Sequence, residues 1–247
     1  MAFDIIGEIA ILPEKNKKIA AQLLKKYKSV RAVYLKSKIA GRLRAPLLKW
    51  LAGEKITETT YRENGCVFKL DVKTCYFSPR LSTDRLEIAR KVKKNERVLV
   101  MFSGIAPYGI VIAKHSKAKE VYCIELSRVA SKYALENARL NKLQDVRIIQ
   151  GDVKRIIPKL KMKFDRIVMA RPQLKDDFLK EAFAASKKGT MIHFYDFIDA
   201  KNFPKESVDR INEAARKARK KTRIIASKKI REIAPYRNHV RVDFKVV

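Results

Sequence analysis

The sequence predicts an α/β fold, a seven-stranded sheet covered by helices and preceded by a small α+β domain. Three observations carry this. Five apolar runs between residues 97 and 197 alternate with helical segments, the pattern of parallel strands buried on both faces. The last two runs, TRIIASKKIREI and HVRVDFKVV, are separated only by residues 234–238, and so short a connection can join only antiparallel strands. The first seventy-five or so residues lack the alternation and combine a basic helix with a hairpin, which sets them apart as a unit of their own.

Residues 3–12, FDIIGEIAIL, alternate and stop before Pro13, as a strand should. Ile19, Ala20, Leu23 and Leu24 recur at helical spacing between Lys15 and Tyr27, so a basic amphipathic helix follows. Val30 to Leu35 reads as a second strand. TETTYRENGCVFKLDV turns at Asn64-Gly65, a strong hairpin signal. Beyond Ser78-Pro79 the register changes: a helix from Asp84 to Lys94, then RVLVMF (97–102), VYCI (121–124), VRIIQ (146–150), FDRIVM (164–169) and TMIHFYDF (190–197), and a long basic helix at 205–221. Two domains are expected, 1–76 and 77–247. Seven strands with an antiparallel last one form the Rossmann-like sheet of class I methyltransferases, not the six parallel strands of a two-nucleotide domain.

Lysine and arginine number 57 against 26 acids, a net charge of +31. That excess exceeds what solubility needs and points to a polyanion, nucleic acid first. It is concentrated: twelve basic residues and no acid lie between Lys15 and Lys49, nine and no acid between Arg216 and Arg231. Unpaired like charges repel, so two such faces call for counter-charges from a partner. A membrane is not the expected one, because no window holds 18 to 20 continuous apolar residues and the N-terminus lacks a signal core. Cys66, Cys75 and Cys123 form no Cys-x-x-Cys pair, which argues against a disulfide framework or a zinc site and for the reducing cytosol. His115, His193 and His239 are scattered, and no metal is expected.

The chemistry is expected at MFSGIAPYG, 101–109. A loop leaving the first strand presents backbone N–H groups and a helix N-terminus to the crevice, and Gly104 permits close approach. Glu125 ends the second strand, where a carboxylate can accept from ribose hydroxyls. Asp152 ends the third, within reach of an adenine amino group. Pro107-Tyr108 crowds the space of a pyrophosphate, which favours S-adenosylmethionine over NAD. The plainer reading is that Glu125 and Asp152 each cap the following helix.

LAGEKITET with Arg44 upstream, ENGCVFKLDV, YFSPRLSTDR, MFSGIAPYG, ENARLNKL, IVMARP, GTMIHFYDF and APYRNHVRVDFKV together resemble the archaeal tRNA guanine-N1 methyltransferases and their wybutosine-pathway paralogues, over nearly the whole chain. The resemblance implies methyl transfer from S-adenosylmethionine to N1 of the guanosine 3′ of the anticodon, by a monomer. It places cofactor contacts on Ser78, Arg85, Gly104, Tyr108, Glu125, Leu126, Asp152, Val153 and Ala170, and the catalytic pair on Asp84 and Arg44. Guanine N1 carries a proton at neutral pH, so transfer needs a base, Asp84, and a cation for the charge growing on O6, Arg44. The alternatives are a helix-terminal acid for Asp84 and a phosphate contact for Arg44. Tyr108, Tyr76 and Trp50 could receive a base drawn out of its stack.

The chain departs from the family pattern at Val100, where an acid is usual, and at Ala106, where a second glycine is. Asp84 stands for a glutamate, and Ala170-Arg171-Pro172 for Asn-Leu-Pro. Three other activities stay open: aminocarboxypropyl transfer to a wybutosine precursor, RNA binding on a decayed methyltransferase scaffold, and a dehydrogenase.

Overall fold

The computed structural model describes residues 3–40, 45–170 and 176–247. Arg44, Arg171 and Pro172 lie outside them. The chain opens with β1 (Asp4–Ile6) and β2 (Ile9–Leu12), then α1 (Lys17–Lys26), β3 (Ala32–Ala40) and β4 (Ala45–Gly53), which form one sheet in the order β1-β2-β3-β4. The single strand expected over 3–12 is thus two strands. Gly7, at φ +56°, turns the chain where a Cβ would lie 2.2 Å from Thr59 Oγ1, so only glycine can make the bend. Asn16 caps α1 by accepting from the Ile19 N–H at 2.9 Å, and the helix packs Ala20 and Leu23 onto Leu12, Val33 and Leu51. Strand β4 was not foreseen. Its pairing with β3 slips register twice, which breaks the two-residue alternation a sequence reading depends on.

The hairpin of β5 (Glu58–Glu63) and β6 (Cys66–Asp71) turns at Asn64-Gly65 as expected, both with positive φ. It stands apart from the first sheet and is pinned by α4 (Arg128–Leu140) and the residue that ends it. Asn137 accepts from the Lys69 N–H at 2.7 Å and donates to the Lys69 carbonyl at 3.1 Å. Asn141 does the same for Val67, at 2.9 and 2.7 Å. Two amides one helical turn apart therefore stand in for a neighbouring strand. This is the structural work of the ENARLNKL segment, and it ties the hairpin, which precedes the expected boundary at residue 76, to the larger layer.

The second sheet contains β7 (Arg97–Met101), β8 (Glu120–Glu125), β9 (Val146–Gln150), β10 (Phe164–Met169), β11 (Ser186–Asp199), β12 (Thr222–Ala234) and β13 (Arg237–Val246). Their order is β12-β13-β11-β10-β7-β8-β9. The first five are parallel, and β13 runs antiparallel between β11 and β12. Successive residues face opposite layers: Val98 and Val100 pack with α3 (Pro107–His115), α4 and α2 (Ser82–Lys91), while Leu99 and Met101 pack with α5 (Val153–Leu160), α6 (Leu179–Ala185) and α7 (Lys205–Lys217). Strand order reverses beside β7, so the crevice opens at its carboxyl end.

Candidate active site

The turn after β7 holds three left-handed residues, Phe102 (φ +60°), Gly104 (+57°) and Ala106 (+64°). For phenylalanine and alanine that conformation costs about 1 to 2 kcal/mol each, and such strain collects at functional sites. The last of the three aims the chain into Pro107, at the start of α3. Gly109 completes the turn for a packing reason, since a Cβ there would lie 2.2 Å from Cys123 Sγ.

Glu125 closes the turn from the next strand. Its carboxylate accepts the N–H of Gly104 and of Ser127, both at 2.7 Å. Burial pushes its pKa up, against the pull of those N–H groups. A carboxylate has about four acceptor positions, so capacity toward the crevice remains. Asp152 both caps α5, accepting from the Lys154 N–H at 3.0 Å, and lines the crevice; the two readings of this acid are compatible.

The crevice is a cavity of about 530 Å³, within the range of small-molecule sites. Gly104, Tyr108, Glu125, Leu126, Asp152, Val153 and Ala170 line it, as do Phe102 and Phe178, whose rings meet edge to face at 4.8 Å. Tyr195, Phe197, His239 and Arg231, from the β11-β13-β12 half of the sheet, make the rest of the wall aromatic and basic, and Tyr76, whose carbonyl lies beside Gly104, also lines it. Of the aromatic candidates, Tyr76 and Tyr108 are thus in the wall, whereas Trp50 is exposed on β4 beneath the Lys55 ammonium.

Three predicted site residues stand behind the wall. Arg85 is buried and grips Glu63 with two hydrogen bonds, at 2.5 and 2.6 Å, and the Ser78 carbonyl with a third, at 3.0 Å. Ser78 and Arg85 therefore brace the FSPR segment and do not line the cavity. Asp84 is likewise buried: Oδ2 accepts the hydroxyls of Tyr108, at 2.6 Å, and of Tyr195, while Oδ1 accepts from Arg241. The carboxylate expected as base is thus ion-paired and enclosed by donors.

The residues that enclose it come from cross-strand pairs that the sequence reading missed. In the β11–β13 register His193 opposes Asp243, Tyr195 opposes Arg241 and Phe197 opposes His239. Arg241 also holds Glu87, and its Nε approaches Asp243 at 2.9 Å off the N–H axis, an ionic contact and not a hydrogen bond. Asp243 accepts from Lys91 at 3.0 Å and meets His193 Nδ1 at 2.7 Å, and His193 Nε2 meets Arg166 at 2.7 Å. His239 stacks on Phe197 with ring centroids 4.6 Å apart. Burial, with Arg231 nearby, pushes its pKa down to about 3, so it is neutral at ordinary pH. A polar residue recurring at every second position of an apolar run is the signal that could have revealed this network.

A sheet with an inserted antiparallel last strand, an acid at the ends of its second and third parallel strands and a strained turn at the first defines a class I methyltransferase fold. The chain belongs to the TRM5/TYW2 family. The TRM5/TYW2 methyltransferase domain matches residues 59–225 and the TYW2 N-terminal domain residues 1–57. The chain is 39% identical to the tRNA (guanine(37)-N(1))-methyltransferase Trm5b of Pyrococcus abyssi, over 99% of this chain and 74% of that one. It is 33% identical to the tRNA 4-demethylwyosine(37)-methyltransferase Taw21 of Saccharolobus solfataricus, over 98% and 92%. Identity is also 33% to the tRNA(Phe) (4-demethylwyosine(37)-C(7)) aminocarboxypropyltransferase of Methanocaldococcus jannaschii, over 97% and 96%. Among solved structures it superposes on the complex of aTrm5 with tRNALeu with a TM-score of 0.88, 26% identity and coverage of 100% and 72%. For TYW2 of P. horikoshii in complex with MeSAdo the values are 0.84, 27%, 99% and 90%.

Proposed function

We propose that this protein transfers the methyl group of S-adenosylmethionine to N1 of the guanosine 3′ of the anticodon in tRNA. The observation that carries the reading is one cavity lined both by Gly104, Glu125 and Asp152 at the ends of β7, β8 and β9 and by Phe197, His239 and Arg231 of β11, β13 and β12. The cofactor supplies an electrophilic methyl group on a sulfonium. Glu125 suits the ribose hydroxyls, Asp152 the adenine amino group, and Phe102, Phe178, Leu126 and Val153 the faces of the ring. The Phe197 and His239 part of the wall receives the purine drawn from the anticodon loop. Lys17, Lys18, Lys25 and Lys26 on α1, and Lys229 and Arg231 on the edge strand β12, are disposed for phosphates, so tRNA affinity falls with salt. Asp84 and Arg44 remain the proposed catalytic pair, with Asp84 acting from behind the wall. The protein acts in the cytosol as a monomer.

A second reading is transfer of a methyl or aminocarboxypropyl group to 4-demethylwyosine. Ala170 favours it: where the guanosine methyltransferases carry asparagine, a methyl group leaves room for a third ring and offers no amide to a guanine edge. Mass analysis of nucleosides, after incubating guanosine-37 and demethylwyosine-37 tRNAs with protein and cofactor, separates the readings. One methyl on guanosine supports the first, either adduct on the tricyclic base supports the second, and no adduct refutes both.

A further inference from the structure

The APYRN turn that joins β12 to β13 carries a side chain with no part in the site described so far. Tyr236 is 71% exposed, the most open large apolar or aromatic side chain among the described residues. It holds φ +58°, a conformation that favours glycine, and its carbonyl accepts the Ala200 N–H at 2.8 Å, which ties the turn to the end of β11. A tyrosine ring left in solvent gains little burial to offset that backbone strain, so folding alone gives no reason for it.

Beside it lies a hollow of about 380 Å³, lined by Tyr236, Arg237, Asp199, Glu206 and Arg210 and bounded by Phe197. Phe197 also lines the cavity assigned to cofactor and purine, so the two spaces share a wall. Ile233 of the cavity and Tyr236 of the hollow are three residues apart, at most about 11 Å, and nucleotides adjoining in one RNA strand can occupy both. We propose, on the reading of this site as a tRNA purine methyltransferase, that Tyr236 is a stacking platform for an unpaired base next to the target purine, seated over this hollow.

A base drawn out of its stack leaves its neighbours with uncovered faces, and the unstacking costs free energy. An exposed aromatic ring restores such a face whatever the neighbour is, because every base has a π-surface. The charges of the hollow suit a base and not a phosphate. Asp199 and Glu206 stand against Arg210 and Arg237, and Glu206 is itself paired with Arg210, so no excess positive charge is left for an anion. Asp199 accepts the Lys201 N–H at 2.9 Å, and a carboxylate with about four acceptor positions keeps capacity for the N–H groups of a base edge. The phosphates fall to the basic residues of β12.

The test compares wild type, Tyr236→Phe and Tyr236→Gly for affinity toward a tRNA transcript with guanosine at the target position, by filter binding. S-adenosylhomocysteine affinity by calorimetry and the urea midpoint are measured alongside. Glycine relieves the strain, so Tyr236→Gly is expected to keep or raise the midpoint and to keep the affinity for S-adenosylhomocysteine, while tRNA binds about 5- to 100-fold more weakly, the range of one base–aromatic stack. Tyr236→Phe keeps the ring and is expected to bind tRNA within about twofold of wild type. A 2-aminopurine placed at each flanking position in turn locates the base: at one of them its fluorescence is expected to be lower in the wild-type complex than in the Tyr236→Gly complex. Unchanged tRNA affinity in Tyr236→Gly, a loss in Tyr236→Phe equal to that in Tyr236→Gly, or no fluorescence difference at either position refutes the platform alone. Failure of wild type to bind tRNA and transfer a group to it refutes the reading of the site and the platform with it.

Discussion

Replacing Arg241 with methionine removes the one cation that, among the described residues, touches Asp84, Glu87 and Asp243 together. Arg241 and Asp84 are both almost fully buried. Glu87 keeps Lys91 and Lys228, and Asp243 keeps Lys91 and His193. The charge left without a cation among the described residues is that of Asp84, which retains only two tyrosine hydroxyls. Breaking a buried ion pair from one side costs about 3 to 5 kcal/mol, a large part of the roughly 5 to 15 kcal/mol that holds a domain folded. For a chain of this length that lowers the melting temperature by about 6 to 20 °C. Urea unfolding followed by circular dichroism should show a lower midpoint at unchanged slope. A loss under about 1 kcal/mol, the worth of a surface pair, would refute the claim that Arg241 anchors Asp84.

Two further outcomes follow from the geometry. Asn137→Ala leaves the Lys69 N–H and the carbonyls of Lys69 and Ile105 without the side chain that now serves them; at about 1 to 3 kcal/mol per buried unsatisfied group the hairpin should loosen, and hydrogen exchange at the Lys69 amide should become fast, with unchanged protection counting against the amide clamp. Stability should also fall in acid. Burial pushes the Glu87 carboxyl up, but hydrogen bonds from Lys228, Arg241 and Lys91 outweigh it and hold the group at about 2 instead of 4.5. Asp243 is likewise depressed, because His193, Arg241 and Lys91 outweigh burial. Folded values below unfolded ones mean stability that is complete above the ordinary carboxylate range and lost as pH falls through it. The urea midpoint should therefore hold from pH 7 to about 5 and drop between about 4.5 and 2; a flat profile would contradict the pairing.

The sheet was legible because its parallel strands are predominantly apolar runs, uninterrupted from Val98 to Met101, with turn residues at their ends. The positions of Glu125 and Asp152 beside the crevice were legible for the same reason, since each stands at or just beyond the end of such a run. The rest of the wall was not. Tyr195 and Arg241 are separated by α7 and β12, and only the β11–β13 register brings them together. An antiparallel last strand can be foreseen, but not which of its residues faces which. The base role of Asp84 rested on the family resemblance, and its place at a helix start offered only a helix-terminal acid as the alternative. Its enclosure depends on Tyr195 and Arg241, which no local pattern connects to it. Strand β4 was hidden by bulges and by its mixture of Lys49 with Leu47 and Trp50 on an exposed edge.

Isothermal titration with S-adenosylmethionine, on wild type and on Glu125→Gln, bears most directly on the cavity as a cofactor site. A hydrogen bond to a charged group is worth about 1.5 to 3 kcal/mol. Wild type should therefore bind one equivalent, and Glu125→Gln should bind about 10- to 100-fold more weakly. Absence of binding by wild type, or equal affinity in the variant, would contradict the assignment of Glu125 and of the strand-end crevice to the adenosine moiety.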